Sequence, residues 1–371
     1  MPSQPTDLCL SQENLQILVE RGRLGSITNR RFVRSEPSGR DMLKYARCYV
    51  STMDYRNLGK SGLKVSRICL GTNNFGGQIN EEASIKIINK ALDCGINIID
   101  TANIYTGGKS EEIIGNAIKG RREEVVIATK VGFGTSEGPN QTGLSRKRIL
   151  SQVEHSLRSL QTDFIDIYYL HRFDPETPLE ETLRTFDTLV HEGKVRYIAC
   201  SNFSAWQIAK AQEICETHDL EKFVAVQPPY NLLQRDIEKD IIPYCQQEGL
   251  GILTYTPLMG GFLTGKYSKT AHPPTGSRFE YNPRLWDRAK KESNFAVLEK
   301  IENVANDVGL SVSKLAISWI LKNPAITAPI VGASSQEQVE ENCKITEITL
   351  NEETYQKLNE LTKDLDFALY S

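Results

Sequence analysis

Several features that define particular classes of protein are missing from this 371-residue sequence. The eight cysteines stand singly, with no CxxC pair, and the five histidines form no HExxH pattern. No apolar run approaches the roughly 20 residues that a membrane-spanning helix needs. No predicted strand is followed by the GxGxxG fingerprint of an open dinucleotide-binding sheet. These absences argue against a metal site, an integral membrane protein and a separate Rossmann domain.

The composition is that of a globular protein, with 39% hydrophobic residues, 25% charged residues and a formal net charge of -3. Such mild acidity gives no reason to expect nucleic acid or an anionic membrane as a partner. Single cysteines in predicted strands and helices behave as small hydrophobic side chains and are typical of a reducing compartment. We therefore expect a cytoplasmic protein that binds no nucleic acid, no membrane and no metal.

Strand-like and helix-like segments alternate from about residue 54 onward. Eight apolar runs predict strands at 64–71, 97–100, 125–131, 164–171, 195–201, 223–228, 251–256 and 328–332. Amphipathic segments predict helices at 80–94, 109–119, 145–160, 178–192, 204–218, 238–247, 294–308, 311–322 and 335–344. Strict alternation favours a parallel sheet, and eight repeats fit a closed (β/α)8 barrel. An open, doubly wound α/β sheet is the competing architecture.

Three segments lie outside this repeat. Residues 54–63 contain a Lys-Ser-Gly turn and predict a β-hairpin that closes the barrel floor. Residues 259–292 are rich in glycine, proline and charge, and a connection of this length is typically a functional lid or disordered. Residues 350–363 predict one more amphipathic helix, packed on the outside of the barrel. The barrel domain is therefore expected to extend over residues 54–371.

Residues 1–53 differ in character from the rest of the chain. Residues 1–52 carry a net charge of +3, with no sustained apolar periodicity and no apolar core of a signal peptide. We interpret 1–53 as a loosely ordered N-terminal extension, or as an artefact of an upstream start with Met53 as the working start. A regulatory or partner-binding arm is the functional alternative.

Four polar residues stand at or just after the ends of three consecutive predicted strands, namely Asp100, Tyr105, Lys130 and His171. In a parallel barrel the carboxyl ends of all strands open on one mouth, where active sites are built. Each residue taken alone is more often solvated or used to tether a loop. Their joint placement predicts one site that combines a carboxylate, a phenol, an amine and an imidazole.

These four groups match the needs of carbonyl reduction by hydride. The carbonyl oxygen must receive a proton near neutral pH, but a tyrosine with an ordinary pKa of about 10 is a reluctant donor. A neighbouring ammonium lowers that pKa, so we predict Tyr105 as proton donor with Lys130 and Asp100 as the pair that tunes it. His171 would donate a hydrogen bond that orients the carbonyl oxygen. Side chains supply no hydride, and a nicotinamide cofactor is therefore implied.

The chain resembles the aldo-keto reductase family from about residue 54 to about residue 345. The resemblance rests on ordered and correctly spaced runs: Gly71-Thr72-Asn73-Asn74-Phe75-Gly76, Asp100-Thr101-Ala102 with Tyr105, Ala128-Thr129-Lys130, Leu170-His171-Arg172-Phe173-Asp174, Gly193-Lys194-Val195-Arg196 before Ser201-Asn202, Val226-Gln227-Pro228-Pro229-Tyr230-Asn231, Tyr255-Thr256-Pro257-Leu258, and Gly332-Ala333-Ser334 before Glu341-Asn342. It implies a TIM barrel that binds NADP(H) in extended form across its mouth.

The resemblance also implies which residues would bind the cofactor. By position these are Gly71, Thr72, Asp100, Ser201, Asn202, Gln227, Tyr255, Thr256, Pro257, Leu258, Gly260, Lys266, Arg278, Gly332, Ser334, Gln338, Glu341 and Asn342. Ser201, Asn202 and Gln227 would hold the nicotinamide carboxamide, and Tyr255 would stack on the nicotinamide ring. Gln227 as a bridge between strands and Tyr255 as barrel core are the alternative interpretations.

The phosphate end of the implied site favours NADP(H) over NAD(H). Lys266 and Arg278 match positions that grip the pyrophosphate and the 2′-phosphate, and two cations favour the extra phosphate. Gly332 and Ala333 stand where the better-known mammalian reductases have a proline followed by a lysine. An NAD-linked dehydrogenase of sugars or polyols therefore stays open as an alternative.

The implied substrate is a small molecule with a carbonyl group, an aldehyde or a ketone, contacted by Phe75, Tyr105 and His171. Arg172 and Phe173 follow the histidine, where the family often has a tryptophan or another bulky group, and neither identifies the substrate. The potassium-channel β subunits also resemble this sequence, so a cofactor-binding regulatory protein is the alternative function. The sequence leaves the oligomeric state open.

Overall fold

The computed structural model describes residues 53–134, 137–268, 272–363 and 365. The predicted N-terminal extension, Met53 aside, lies outside the described residues. The strands are β1 (Tyr55–Asn57), β2 (Lys64–Ser66), β3 (Cys69–Gly71), β4 (Ile98–Asp100), β5 (Val126–Val131), β6 (Ile165–Leu170), β7 (Val195–Ser201), β8 (Phe223–Gln227), β9 (Gly251–Thr254) and β10 (Ala328–Gly332). β3 to β10 are parallel and close into a barrel, with β10 paired to both β9 and β3. The predicted (β/α)8 barrel is confirmed.

Helices connect the barrel strands and continue after the last one. They are α1 (Glu81–Asp93), α2 (Lys109–Ala117), α3 (Arg146–Leu160), α4 (Leu179–His191), α5 (Ala205–Thr217), α6 (Ile241–Glu248), α7 (Arg278–Tyr281), α8 (Pro283–Ala289), α9 (Glu292–Asp307), α10 (Val312–Lys322), α11 (Gln336–Ile345) and α12 (Glu352–Leu361). Side chains of Asn80, Ser145, Ser311, Ser335 and Asn351 each accept a hydrogen bond from a backbone N–H of the following first turn. Such caps satisfy N–H groups that have no partner inside the helix, so the helix starts are determined locally.

Side chains alternate between the barrel lumen and the helix layer along each strand. On β5, Val126 and Ala128 belong to a small core inside the barrel, whereas Ile127 belongs to the larger core between strands and helices. Lys130 is two residues beyond Ala128 and therefore also points into the lumen, where it is fully buried. Alanines of β7, β8 and β10 share this small core: Ala199, Ala225 and Ala328. Small lumen residues leave room for a long charged side chain.

A β-hairpin closes the floor of the barrel, as predicted. β1 and β2 pair antiparallel, and Leu58 in their connection is fully buried in the lumen core. The backbone N–H of Lys60 donates to the carbonyl oxygen of Gly249 at 2.8 Å. Gly59 has φ +59°, and a Cβ there would stand only 2.5 Å from the same Gly249 oxygen. A glycine is therefore required where the hairpin meets the barrel.

The predicted single strand over 64–71 is wrong, because the chain bends between β2 and β3. Arg67 lies at the bend, and its backbone N–H donates to the Asp54 carbonyl oxygen at 3.0 Å. Its buried guanidinium donates to the carbonyl oxygens of Leu321, Ile326 and Thr327. These contacts tie the bend to the start of β10, so residues 64–66 pair in the floor hairpin and only residues 69–71 join the barrel.

The expectation of a loop over 259–292 is also wrong for the described part of that segment. It contains a 3₁₀ turn at Met259–Thr264 and the helices α7 and α8, while residues 269–271 lie outside the described residues. Tyr267, Phe279, Trp286 and Phe295 form consecutive ring contacts, with ring centres 4.8 to 6.2 Å apart. Aromatic packing of this kind gives a polar segment its own small core.

In the described chain, no single helix is both long and apolar enough to cross a membrane. α9 and α10 reach the necessary length and apolarity only when taken as a pair, and a bend of 86° separates them. Leu315, Trp319 and Ile320 of α10 are fully buried in the protein.

Glu111 is a carboxyl group buried between α2 and the barrel. Its Oε1 accepts a hydrogen bond from the Thr129 hydroxyl at 2.6 Å. Burial raises the pKa of Glu111 to about 7, although hydrogen bonds from Thr129 and Ser156 oppose the rise. The folded protein therefore holds a proton here that the unfolded chain, with a carboxyl pKa of 4.5, has lost. The free energy of unfolding therefore falls as the pH rises from about 4.5 to about 7, where the unfolded chain is ionised at this group and the folded protein is not.

We expect Glu111→Gln to stabilise the protein at pH 8 but not at pH 4.5. The wild-type chain loses up to about 3 kcal/mol of unfolding free energy at this group between those pH values, and glutamine loses none. Urea denaturation at both pH values measures the difference. The exposed Glu123 offers a control, because Glu123→Gln leaves the buried Glu111 carboxyl untouched and should change stability little at either pH. Equal effects of Glu111→Gln at both pH values would contradict the assignment.

Candidate active site

Three adjacent barrel strands bring polar residues to the same mouth. Asp100 is the last residue of β4, Lys130 is the penultimate residue of β5, and His171 directly follows β6. Tyr105 begins a short 3₁₀ turn, Tyr105–Gly108, that leads from β4 to α2. The structure thus places the four residues predicted as catalytic at the carboxyl ends of neighbouring strands.

The ammonium of Lys130 is the centre of this cluster. Its Nζ donates to Asp100 Oδ1 at 2.6 Å, to the Thr101 carbonyl oxygen at 2.7 Å and to the Tyr105 hydroxyl at 3.3 Å. Gln227 Nε2 donates to the second carboxylate oxygen, Asp100 Oδ2, at 2.7 Å. Lys130, Asp100 and Gln227 are all buried. A charged pair taken out of water is stable only when its remaining hydrogen bonds are made, as they are here.

Burial changes the acidity of the phenol in the direction opposite to the one expected from sequence. The pKa of Tyr105 is raised above its ordinary value, because burial outweighs the attraction of the Lys130 ammonium for the phenolate. For Lys130, burial alone would lower the pKa, but the charges of Asp100 and Tyr105 raise it above its ordinary value. The predicted lowering of the Tyr105 pKa is therefore wrong for this structure. At neutral pH the phenol holds its proton beside a charged amine.

The imidazole of His171 is neutral in this site. Burial, together with the charges of Lys130 and Arg172, lowers the pKa of His171 to about 2. Its ring lies edge-on to the rings of Tyr105 and Phe133, with centres 6.2 Å and 4.7 Å away. Buried Nδ1 has no hydrogen-bond partner among the residues that the structure describes. The tautomer with its proton on Nε2 leaves only a lone pair unpartnered at Nδ1 and makes Nε2 a donor.

Predicted nicotinamide-binding residues continue this network on the next strands. Ser201 and Gln227 end β7 and β8 as a cross-strand pair, and Ser201 Oγ donates to the Gln227 carbonyl oxygen at 2.8 Å. Asn202 Nδ2 donates to the His171 carbonyl oxygen at 2.8 Å, and Tyr255 Oη donates to Asn202 Oδ1 at 2.7 Å. The Gln227 amide nitrogen already donates to Asp100, so it links β8 to β4, as the alternative interpretation of Gln227 as a bridge between strands allowed. The cofactor contacts of these side chains stay predictions.

The residues predicted for the adenosine end collect after β10. Gly332 ends β10 opposite Gly71 of β3. Ser334 donates to Gln338 Oε1 through its backbone N–H at 2.8 Å and through its hydroxyl at 3.0 Å. Asn342 Nδ2 donates to the Gly332 carbonyl oxygen at 3.5 Å. Hydroxyl and amide groups therefore gather around the start of α11, where backbone N–H groups favour an anion.

The segment after β9 supplies the predicted phosphate contacts. Met259, Gly260 and Gly261 are consecutive residues with φ of +47°, +67° and +96°. Lys266 is exposed shortly after this turn. Arg278 opens α7, and its charge opposes the rise in the pKa that burial causes at the Tyr105 phenol. A left-handed turn, an ammonium and a guanidinium are donor types that bind phosphate, and their contacts with NADP(H) stay predictions.

Two phenylalanines bear on the predicted substrate pocket in different ways. Phe75 is 1% exposed and packs in the larger hydrophobic core, so its contact with a substrate stays a prediction. Phe133 is a neighbour of His171 that none of the sequence motifs includes. It stands two residues beyond β5, and a position just past a strand end is the signal that would have indicated it.

The fold and the cluster together define a (β/α)8 barrel with a buried cluster of ionisable side chains at its carboxyl mouth. Comparison with known proteins then identifies the family. The model of the Aldo/keto reductase family matches residues 67–363. The chain belongs to the aldo/keto reductase family, as the sequence motifs indicated.

Three relatives are similar over most of their own length. The uncharacterized oxidoreductase YrpG of Bacillus subtilis is 40% identical over 320 residues, which cover 83% of this chain and 96% of that protein. The probable voltage-gated potassium channel subunit beta of Oryza sativa subsp. japonica is 37% identical, covering 80% and 92%. The versiconal hemiacetal acetate reductase of Aspergillus parasiticus is 35% identical, covering 83% and 96%.

We expect Lys130→Met to destabilise the fold by about 3–5 kcal/mol at pH 8, because it leaves a buried carboxylate without its counter-charge. Burial already raises the pKa of Asp100, so that carboxyl can take up a proton at lower pH. The loss should therefore be smaller at pH 5. Chemical denaturation at the two pH values measures both numbers.

The exposed pair of Lys210 and Glu213, with Nζ and Oε2 3.0 Å apart, provides the matched control. Lys210→Met removes a lysine from a carboxylate that water already solvates, so it should change stability little at either pH. A loss for Lys130→Met that is as small as that of the control would contradict the role of the buried pair.

Proposed function

We propose that this protein reduces an aldehyde or ketone to an alcohol with NADPH as hydride donor. One observation carries the proposal, namely the 3.3 Å hydrogen bond between Lys130 Nζ and the Tyr105 hydroxyl in a buried cluster with Asp100. This arrangement holds a protonated phenol next to a fixed positive charge at the mouth of the barrel. Membership of the aldo/keto reductase family supports the same reaction class.

Each residue of the cluster has a distinct part in the proposed reaction. A bound nicotinamide supplies the hydride that adds to the carbonyl carbon. Tyr105 gives its proton to the carbonyl oxygen, and the Lys130 ammonium stabilises the phenolate that remains until water returns a proton. Asp100 keeps that ammonium in place. Neutral His171, protonated on Nε2, donates a hydrogen bond that orients the carbonyl oxygen and stabilises the charge that develops on it.

The neutral state of His171 supports a donor role rather than an acid role. Its pKa of about 2 means that the ring carries one proton, not two, across the physiological range. An imidazolium in the same place would repel the Lys130 ammonium and compete with Tyr105 as the acid. The division of work between phenol and imidazole therefore follows from their environments.

Replacing the proposed proton donor tests the mechanism. Tyr105→Phe removes the hydroxyl and keeps the ring, so kcat for reduction of a generic aldehyde should fall by about 10²- to 10⁴-fold, the contribution of a positioned general acid. Binding of NADPH, followed by quenching of protein fluorescence, should stay nearly unchanged.

Tyr55 offers a matched control for this substitution. Its hydroxyl donates to the Gly95 carbonyl oxygen in the floor hairpin, at the opposite end of the barrel from the mouth. Tyr55→Phe should therefore keep full activity. An undiminished rate for Tyr105→Phe would remove the phenol from the mechanism.

Cofactor preference follows from the two cations after β9. Fluorescence titration should give a Kd for NADPH about tenfold or more below that for NADH. Only NADPH carries a 2′-phosphate to which Lys266 and Arg278 can make charge-assisted hydrogen bonds. Arg278→Gln should narrow that difference. Equal affinity for both dinucleotides would instead favour an NAD-linked dehydrogenase of sugars or polyols, and binding of neither would overturn the proposed function.

A second candidate function comes from the rice relative, whose name is that of a potassium-channel β subunit and which is 37% identical to this chain. Under this alternative the barrel binds a nicotinamide dinucleotide and regulates a partner. The same measurements separate the two candidates. Tight dinucleotide binding with negligible turnover of aldehydes would favour the regulatory protein, and turnover that depends on Tyr105 favours the enzyme.

A further inference from the structure

Arg172 holds an exposed guanidinium beside the proposed catalytic imidazole. Its guanidinium carbon lies 4.4 Å from the centre of the Phe133 ring, over the face of that ring. The same ring centre is 4.7 Å from the centre of the His171 ring. The two separations of 4.7 Å and 4.4 Å limit the distance from the guanidinium carbon to the imidazole centre to about 9 Å. One small substrate molecule can span that distance.

No carboxylate of the described residues forms an ion pair with Arg172. Asp174 is the acid nearest in sequence, but its oxygens are used elsewhere. Oδ2 accepts from the Leu144 backbone N–H and the Thr177 hydroxyl, both at 2.7 Å, and Oδ1 accepts from the Glu176 backbone N–H at 3.1 Å. Burial would raise the pKa of Asp174, but these hydrogen bonds and, to the smallest extent, the charge of Arg172 lower it. The two charges therefore act on each other, but no hydrogen bond or ion pair with an acid of the described chain occupies the N–H groups of the Arg172 guanidinium.

The Phe133 ring holds this guanidinium without neutralising it. An aromatic face attracts a cation electrostatically and supports the aliphatic part of its side chain. The N–H groups of a guanidinium lie in its plane, in a fork that matches the two oxygens of a carboxylate. Arg172 is exposed, so those donors are open to a ligand that enters the mouth.

We propose that Arg172 selects carbonyl substrates that carry a carboxylate a few bonds from the reducible group. This inference rests on the proposed reductase function and names the substrate class of the same site. The carbonyl oxygen would lie between Tyr105 and His171, and the carboxylate would meet the Arg172 fork. Phe133 is close to both the imidazole and the guanidinium, and it would contact the carbon skeleton that joins the carbonyl to the carboxylate.

Two aldehydes of nearly the same shape test the proposal. 4-Carboxybenzaldehyde carries the anion, and methyl 4-formylbenzoate carries a neutral ester in its place. The wild-type protein should have the higher kcat/KM with the acid. Arg172→Gln should lower the ratio of acid to ester about tenfold, mainly through KM for the acid, since a charge-assisted hydrogen bond to the substrate is lost. Arg172→Lys should recover part of the ratio because the charge is retained.

Arg196 provides a matched control elsewhere on the barrel. Its guanidinium carbon also lies 4.4 Å from a phenylalanine ring centre, that of Phe164, but it is the second residue of β7 and so belongs to the barrel floor. Arg196→Gln should keep the wild-type ratio of acid to ester. A general loss of folding or activity would lower both rate constants and leave their ratio unchanged.

The outcomes separate this inference from the function on which it rests. A wild-type protein that reduces the ester but shows no preference for the acid overturns the role of Arg172 and leaves the reductase intact. The same conclusion follows if Arg172→Gln and the wild type have equal ratios. A protein that binds NADPH but reduces neither aldehyde contradicts the reductase function itself, and the substrate class falls with it.

Discussion

The buried ion pair between Lys130 and Asp100 is the interaction on which the mouth of this barrel depends. Two charges removed from water are stable only if every remaining donor and acceptor finds a partner. Here the Thr101 carbonyl oxygen, the Tyr105 hydroxyl and the Gln227 amide complete the set. These bonds fix the phenol against the amine, and they also use polar groups from β4, β5 and β8. The charge pair is therefore a structural link between strands as well as the core of the proposed chemistry.

The lumen makes such a pair possible through the arrangement of small and large side chains. Strand periodicity sends Val126, Ala128 and Lys130 to the inside of β5, and alanines on other strands leave space for the lysine stem. Leu58 closes the same space from the floor. Leu58 keeps water out of the floor side of the lumen. The hydrogen-bond partners of the Lys130 ammonium, Asp100, Thr101 and Tyr105, all come from the mouth side. The dry surroundings also raise the pKa of Tyr105 and lower that of His171, so that at neutral pH the phenol keeps its proton and the imidazole is uncharged.

Much of the fold follows from local patterns. Continuous apolar runs and amphipathic segments predict the barrel and most helix starts, and cap residues such as Ser145 and Ser311 are found at those starts in the structure, because these signals act within a few residues. The two predictions about the fold that are wrong, a single strand over 64–71 and a loop over 259–292, concern segments whose structure depends on contacts with distant residues. The bend at Arg67 exists because its guanidinium reaches carbonyl oxygens more than 250 residues away. The helices within 259–292 depend on ring contacts between Tyr267, Phe279 and Trp286, which no local period reveals.

The sequence by itself determined the family, the barrel and the four polar strand ends, because spacing and residue type carry that information directly. Only the tertiary structure decided the protonation of those groups. A local argument sees the ammonium beside the phenol and expects an acidic tyrosine, whereas burial of the whole cluster has the larger effect and keeps the proton on the phenol. The position of Arg172 over Phe133 was likewise decided only there, since the loops after β5 and β6 must fold before the guanidinium and the ring can meet. Solvent exclusion and contacts between distant segments are properties of the folded chain, so they cannot be predicted from any short stretch of sequence.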